Sequence, residues 1–219
     1  MRVFNSLKWA VLPLTVSLAG CSLFGGAVDA PPATLLAYIS LRSMDQISVV
    51  SMIQQAPAGD PIPAGSAPAN MAINPRSDRE YLYVANSNTN TVSFLNVRTR
   101  QKDVSVTSGE NPWDVAITPD GRYVYATNVG SKTVGLIDVE SRSRVKEFTF
   151  DATAYPSFSP RGVATHPVSS TGTNRLETYV ISEGKSTTGA LVVVLRGEQT
   201  VKSIPLNTAS KLWKGAVTA

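Results

Sequence analysis

Few residues in this sequence could carry out covalent or acid–base chemistry. Ser182 and Lys185 match an S-x-x-K pattern, in which a lysine helps a serine to attack a carbonyl group. That pattern belongs on a helix beside other signature elements, whereas here it falls in a turn between two apolar strands. His166 is the only histidine, which excludes a histidine cluster for a metal. Equivalent positions of two related segments hold Asn74 and Thr118, so His166 is interpreted as a strand-end residue.

The acidic residues are scattered along the chain. Asp114, Asp120 and Asp138 fall where turns or strand ends are expected, and neither a calcium-loop spacing nor a phosphate-binding glycine loop is found in the sequence. We therefore expect no catalytic residue, no metal site and no cofactor. On this evidence the protein is predicted not to be an enzyme.

The N-terminal segment has the features of an export signal. A basic start with Arg2 and Lys8 precedes an apolar run over residues 9–19, and small residues lead to Cys21. The apolar run is shorter than the roughly 20 residues that a permanent membrane helix needs. The tetrapeptide at 18–21, Leu-Ala-Gly-Cys, resembles the lipobox of bacterial lipoproteins. The resemblance implies a signal peptide over 1–20 and a lipid on the Cys21 sulfur.

Cysteine usage agrees with lipidation. Cys21 is the only cysteine, so no intrachain disulfide can form, and a free thiol on an exported protein would be open to oxidation. The alternative is that Cys21 is one small residue of an ordinary signal, or a buried thiol. By resemblance, Ser22 after the lipidated cysteine implies the outer membrane, with the protein facing the periplasm or the cell surface. Residues 21–34 are rich in Gly, Ala and Pro and are predicted to be a tether.

Composition is that of a globular protein. Hydrophobic residues make up 42% of the chain and charged residues 16%. The net charge of +4 falls to +2 once the two basic residues of segment 1–20 are removed. A charge so close to balance gives no indication of nucleic-acid binding.

A hairpin-like segment recurs along the chain. Residues 81–97, YLYVANSNTNTVSFLNV, are followed 42 residues later by 123–139, YVYATNVGSKTVGLIDV. Two weaker copies, which lack the asparagine, give four repeats marked by Tyr38, Tyr83, Tyr125 and Tyr179. Repetition at this spacing indicates a propeller or an array.

Proline pairs mark a further strand before each later copy. The pairs are Pro68 and Pro75, Pro112 and Pro119, and Pro160 and Pro167. Because proline cannot donate to a strand ladder, each pair is predicted to bracket a short strand of about five residues. Each unit then has four short antiparallel strands, which is the pattern of a β-propeller blade.

Strand counting predicts an all-β propeller domain over residues 35–219 with four blades. The N-terminal part supplies three strands, three complete units follow, and residues 214–219 resemble the missing inner strand of the first unit. A blade shared by both chain ends would close the ring. The alternative is a partial ring completed by a partner or by a second copy of the chain.

The repeated segments resemble the YVTN family of β-propeller repeats, which is found in bacterial and archaeal envelope and surface-layer proteins. The resemblance covers about residues 64–150 and is carried by 81–97 and 111–139. It implies an envelope propeller. The chain is short for the six or seven blades that this family usually forms. Asn86 and Asn128 of the motif are interpreted as strand-end residues that cap backbone groups.

Two long connections are predicted to carry the binding surface. In a four-stranded meander, the turns between strands two and three and the connections between units emerge on one face. The expanded connections 151–162 and 206–215 lie there and hold aromatic and basic residues, which are common interface anchors. The candidates are Tyr155, Phe158, Arg161, Lys211, Trp213 and Lys214. Trp113 either joins them or packs between blades.

These features predict a lipid-anchored envelope scaffold. We expect a non-enzymatic accessory subunit that is held at the membrane by Cys21 and binds an envelope protein complex through one rim. A cell-wall or carbohydrate-binding propeller is the first alternative. A propeller hydrolase or redox enzyme is the second, and it would need acids, histidines or a metal in the channel.

Overall fold

The computed structural model describes residues 35–76, 78, 80–150, 158–170, 173–182, 191–196 and 199–205. All regular secondary structure in these residues is β-strand. No helix suited to crossing a membrane is found among them. The predicted signal peptide, the tether and the closing strand at 214–219 lie outside the described residues.

In the part of the chain that the structure describes, sixteen strands form four antiparallel sheets, each of four strands. The predicted three complete units are confirmed as the second, third and fourth sheets, and the all-β propeller class is confirmed with them. The first sheet holds β1 (Leu36–Leu41), β2 (Gln46–Ser51), β3 (Ala56–Pro57) and β4 (Ile62–Pro63); the second holds β5 (Pro68–Ile73), β6 (Tyr81–Asn86), β7 (Thr91–Asn96) and β8 (Gln101–Thr107); the third holds β9 (Pro112–Ile117), β10 (Tyr123–Asn128), β11 (Thr133–Asp138) and β12 (Ser143–Phe148); the fourth holds β13 (Pro160–Ser170), β14 (Thr173–Ser182), β15 (Leu191–Arg196) and β16 (Gln199–Pro205).

The outer edge of the first sheet is broken into two short strands. Both β3 and β4 pair with β2, where the later sheets have one continuous outer strand. Pro57, Pro61 and Pro63 lie in this stretch, and a proline gives no backbone donor to a ladder.

The strand register repeats from sheet to sheet. The recurring tyrosine pairs with an apolar residue of the next strand: Tyr38 of β1 with Val49, Tyr83 of β6 with Phe94, Tyr125 of β10 with Leu136 and Tyr179 of β14 with Val194. The first sheet has no inner strand among the described residues, so β1 and β2 correspond to the second and third strands of the later sheets. Because side chains alternate between the two faces of a strand, an identical register puts equivalent residues on the same face of every sheet. The four sheets are therefore copies of one unit.

Three apolar cores lie between consecutive sheets. Ile47 and Val49 of the first sheet pack against Leu82 and Val84 of the second. Tyr83 and Phe94 of the second sheet pack in the same way against the third, and Tyr125 and Leu136 of the third against the fourth. Each inner sheet thus buries both faces, which a single four-stranded sheet cannot do alone.

The turns between second and third strands are tied to the connections between sheets. Asp45 and Asn90 end two such turns with positive φ angles of 57° and 58°. Their side-chain oxygens each accept a hydrogen bond from a backbone N–H of the next connection, at 2.8 Å from Ala67 and from Asn111. These turns and connections share one rim of the sheets, as the sequence predicted.

Asn86 holds the same rim from inside the second sheet. Its side chain is fully buried, its carbonyl accepts the Gly65 N–H at 3.0 Å, and its amide donates to Ser93 at 2.8 Å and Thr91 at 3.2 Å. The predicted capping of backbone groups by Asn86 is confirmed. A Cβ on Gly65 would lie 2.6 Å from the Asn86 side chain, so this close approach requires glycine.

The inner strand of the fourth sheet is longer than predicted. Pro167 was expected to end it, but β13 continues to Ser170, and Pro167 pairs with Leu176 of β14. The other side of β13 has no ladder partner among the described strands, so a residue without an N–H is tolerated at this edge. Pro68, Pro112 and Pro160 are the first residues of their strands, where proline is also tolerated.

Candidate functional site

Residues from all four sheets meet at one place on the rim that carries the 2–3 turns. Arg42 lies in the turn after β1, Ser87 in the turn after β6, Trp113 near the start of β9 and Arg161 near the start of β13. They come together because each first strand begins, and each second strand ends, at this rim. We call these four residues the rim cluster.

Two guanidinium groups lie over one indole ring in the rim cluster. The guanidinium carbon of Arg42 is 5.2 Å from the centroid of the Trp113 ring, and that of Arg161 is 5.0 Å from it. Both distances are within the range of cation–π attraction. The indole therefore offsets part of the repulsion between two positive charges that come from the first and fourth sheets.

Hydrogen bonds hold two members of the rim cluster, Arg42 and Ser87, in place. The Arg42 guanidinium donates to the hydroxyl of Ser87 at 3.3 Å, and that hydroxyl donates to the backbone carbonyl of Pro112 at 3.0 Å. Ser87 is only 5% exposed, so it forms a fixed link between the second and third sheets. Arg42 is exposed and Trp113 and Arg161 are half-buried, which leaves the cluster accessible from solvent.

Asp114 joins the strands that carry Trp113 and Arg161. Its carboxylate accepts two hydrogen bonds of 3.0 Å, one from the backbone N–H of Val163 in the fourth sheet and one from the backbone N–H of the next residue, Val115. An ionised carboxylate forms strong bonds of this kind. Asp114 is thus a structural link between the third and fourth sheets.

An open depression of about 640 Å³ adjoins the rim cluster on the side of the first sheet. The depression is shallow and open to solvent, unlike the enclosed clefts that bury most of a small ligand. Its lining combines backbone and polar groups with the aliphatic part of a methionine: Ser40, Leu41, Arg42, Ser43, Met44, Ala67 and Asn88. Arg42 belongs to both features, so a ligand in the depression would contact a guanidinium.

The structure brings together two of the predicted binding residues, Trp113 and Arg161. Phe158 is 4% exposed, lies in the core between the third and fourth sheets, and packs against Phe150 with tilted rings whose centroids are 4.1 Å apart. It therefore contributes to packing and not to the rim surface. The remaining candidates and the lipidation residue are outside the described residues: Cys21, Tyr155, Lys211, Trp213 and Lys214.

Sequence reasoning missed Arg42. The turn at 42–45 belongs to one of the two weaker repeats, and all predicted binding residues except Trp113 lie in the two long connections. The signal was nevertheless present, because the strand count puts this turn on the same rim as Arg161.

The other residues with chemical potential have structural environments. The Ser182 side chain is 2% exposed and accepts the Ser159 N–H at 2.8 Å. His166 is half-buried and lies opposite Glu177 in the β13–β14 ladder. Within the described ranges, no group of three histidine, cysteine, aspartate or glutamate side chains is placed to hold a metal ion.

A second polar cluster lies on the opposite rim and joins the second and third sheets. Arg142 approaches Asp103 at 3.8 Å and donates to the hydroxyl of Tyr81 at 3.2 Å. The Tyr81 hydroxyl in turn donates to Asp103, and this hydrogen bond raises the pKa of Tyr81 above its usual value of 10.0. Arg142, which follows β11 of the third sheet, contacts both Tyr81 and Asp103 of the second sheet, so this cluster is a junction between the two sheets.

Comparison with protein families identifies the chain. The model of the family described as "Lactonase, 7-bladed beta-propeller" matches residues 34–158, more than half of the sequence. The chain belongs to this family. The finer resemblance of this lactonase-family chain to YVTN repeats remains a prediction.

Solved structures give the same fold. The "Kuenenia stuttgartiensis Hydrazine Synthase" structure matches the lactonase-family chain with a TM-score of 0.65 and 22% identity, over 78% of this chain and 46% of the other. A "Dihydro-heme d1 dehydrogenase NirN in complex with DHE" matches with a TM-score of 0.53 and 16% identity, over 78% and 44%. The chain thus spans less than half the length of each. No significant match was found among curated proteins.

The expectation that the protein is not an enzyme is wrong. The family is named for lactone hydrolysis, and both matching structures carry the names of enzymes. The sequence search looked for short catalytic motifs. In a propeller, however, site residues come from separate sheets and are about one repeat apart, so no short motif records them.

Proposed function

We propose that this chain supplies the anion-binding rim of an enzyme of the lactonase family, with a carboxylate-bearing or phosphate-bearing lactone as its substrate. One observation carries the proposal: Arg42 and Arg161, from different sheets, lie over the same Trp113 ring. A guanidinium that lies over an aromatic ring still has its N–H donors available in its own plane, and these donors match the oxygens of a carboxylate or phosphate.

The chemistry of lactone hydrolysis fits a cationic rim. Attack of water on the ring ester passes through an oxyanion, and ring opening leaves a hydroxy carboxylate. Guanidinium donors stabilise both anions, and they do so more strongly where protein atoms reduce contact with water. In this proposal Arg42 and Arg161 bind the charged substrate group or the developing carboxylate. Trp113 is a positioning residue that holds the two guanidinium groups.

Turnover measurements test this function. Purified protein would be assayed for acid release from a panel of lactones, with and without an anionic substituent. Arg42→Ala and Arg161→Ala should each raise KM for the anionic lactones by about 10-fold or more, the cost of one charged hydrogen bond. Arg98→Ala is the matched control, because Arg98 is exposed in a turn of the opposite rim. Absence of hydrolysis across the panel, or equal KM values in all variants, would refute the proposal.

A second candidate function uses the same rim to bind a protein of the cell envelope. Tryptophan and arginine are enriched among the residues that contribute most to protein–protein binding, and the half-buried Trp113 contacts two arginines. Capture from a membrane extract by wild type and by Trp113→Ala separates the candidates. A partner recovered only by wild type supports the accessory role. Recovery of glycans in place of protein would support the cell-wall-binding alternative.

We further propose that the protein is held at the outer membrane by a lipid on Cys21. The proposal is supported by the sequence alone, through the apolar segment and the Leu-Ala-Gly-Cys motif at 18–21. Two or three acyl chains anchor a protein stably, because each buried methylene adds about 0.8 kcal/mol. Cys21→Ser should move the protein from the membrane fraction to the soluble fraction and abolish fatty-acid labelling. An unchanged distribution would contradict the anchor.

A further inference from the structure

The first sheet exposes an unusual amount of apolar surface. Of the seven large hydrophobic side chains that are exposed among the described residues, five lie in segment 35–53. They are 46% to 65% exposed: Leu35, Ile39, Met44, Met52 and Ile53. Such a concentration on one element marks a surface that is normally covered.

The repeat shows what covers this kind of surface elsewhere in the molecule. In the second sheet, Leu82, Val84 and Leu95 face the preceding sheet and are at most 2% exposed. In the third sheet, Val124, Ala126 and Ile137 occupy the equivalent positions and are fully buried against the second sheet. These positions form what we call the back face of a sheet.

The first sheet keeps an apolar back face. Aligning Tyr38 with Tyr83 and using the strand register puts Ala37, Ile39 and Val50 at these positions. Ile39, which corresponds to the fully buried Val84, is 46% exposed. The sequence has therefore retained an apolar set here although no described sheet lies against it.

The surface that would fit this back face is present on the fourth sheet. In the first three sheets, the tyrosine and its partners on the third strand form the opposite, front face, which covers the next sheet. The equivalent residues of the fourth sheet are also apolar; Val194 is 5% exposed, and the other three are half-buried: Tyr179, Ile181 and Val192. One chain thus has a front face at one end and a back face at the other.

Strand contacts join the first sheet to the second, the second to the third and the third to the fourth. The described strands of the first and fourth sheets make no comparable contact with each other. Two copies related by a twofold axis would place the front face of each fourth sheet on the back face of the other first sheet, which covers both ends at once.

We propose that the back face of the first sheet, centred on Ile39, is an interface for the fourth sheet of a second copy of this chain. The interface is continuous with the three junctions already formed within the chain and uses the same residue positions. It does not depend on the reaction at the rim cluster.

The experiment measures the mass of the full chain, purified in detergent, by analytical ultracentrifugation. The wild type should sediment as a dimer, with twice the mass that mass spectrometry gives for the purified chain. Ile39→Glu would bury an unpaired charge at the interface and should raise the dimer dissociation constant by ~100-fold or more. Ile73→Glu is the matched control, because Ile73 is a 52% exposed isoleucine at a strand end of the second sheet. It should leave the dimer intact.

Three outcomes would overturn the proposal. The first is a monomeric wild type at tens of micromolar protein. The second is a dimer that Ile39→Glu leaves unchanged, provided that circular dichroism shows an intact sheet signal in the variant. The third is a monomer in which Ile39→Cys is protected from thiol reagents, which would assign the back face to other residues of the same chain.

Discussion

Replacing Asn86 by alanine should destabilise the fold by about 2 to 3 kcal/mol. The side chain is fully buried, accepts the Gly65 N–H at 3.0 Å and donates to the buried Ser93 hydroxyl at 2.8 Å. Each net hydrogen bond contributes about 1 kcal/mol, and a buried group left without its partner costs about 1 to 3 kcal/mol. Because Gly65 is only half-buried, water can replace part of its bond. The estimate is therefore toward the lower end of that sum.

Urea unfolding followed by circular dichroism measures this effect. We expect a lower midpoint with an unchanged slope, since the surface exposed on unfolding stays the same. Asn88→Ala is the matched control, because Asn88 is exposed two residues along the same turn, and it should stay within about 0.5 kcal/mol of wild type. Equal midpoints for the two variants would refute the interpretation of Asn86 as the polar link between strand end and connection.

Two further predictions concern the turns and close approaches. The pKa of Asp138 is lowered, chiefly by the hydrogen bond that its carboxylate accepts from the Ser141 backbone N–H. The ionised carboxylate therefore stabilises the fold at pH values above the normal carboxyl pKa, and this stabilisation is lost as the pH falls through the lowered pKa. Asp138→Asn should keep neutral-pH stability and flatten the acid side of a thermal denaturation series, because Asn96 forms the same turn bonds uncharged. Gly65→Ala should lower the free energy of unfolding, measured in urea, by about 1 to 3 kcal/mol, because the new Cβ would lie 2.6 Å from the Asn86 side chain. Gly162→Ala is the control and should be nearly neutral, because its Cβ would lie 3.6 Å from the nearest atom.

The fold could be predicted because its signals are local and repeated. A tyrosine at the same point of each hairpin fixes the side-chain alternation, and prolines mark the start of each inner strand. The length of β13 could not be predicted, because a proline is excluded only from positions that must donate to a ladder. Whether Pro167 is such a position depends on the neighbouring strand and not on the local sequence.

The rim cluster was predictable only in part. Trp113 and Arg161 were candidates because aromatic and basic residues near sheet connections are common in binding surfaces. Arg42 was missed because its contact with Trp113 joins residues 71 positions apart, in the first and third sheets. The link to a family named for an enzyme was missed for the same reason. A site assembled from several blades leaves no continuous motif.

Calorimetric titration with a hydroxy carboxylate, the product of lactone hydrolysis, tests the proposed role of the rim most directly. We predict one binding event that weakens as salt increases and falls by about 10-fold or more in Arg42→Ala and in Arg161→Ala, but not in Arg98→Ala. Binding that is equal in wild type and both rim variants, or no binding by any of them, would contradict the assignment of Arg42, Trp113 and Arg161 as the anion-binding site.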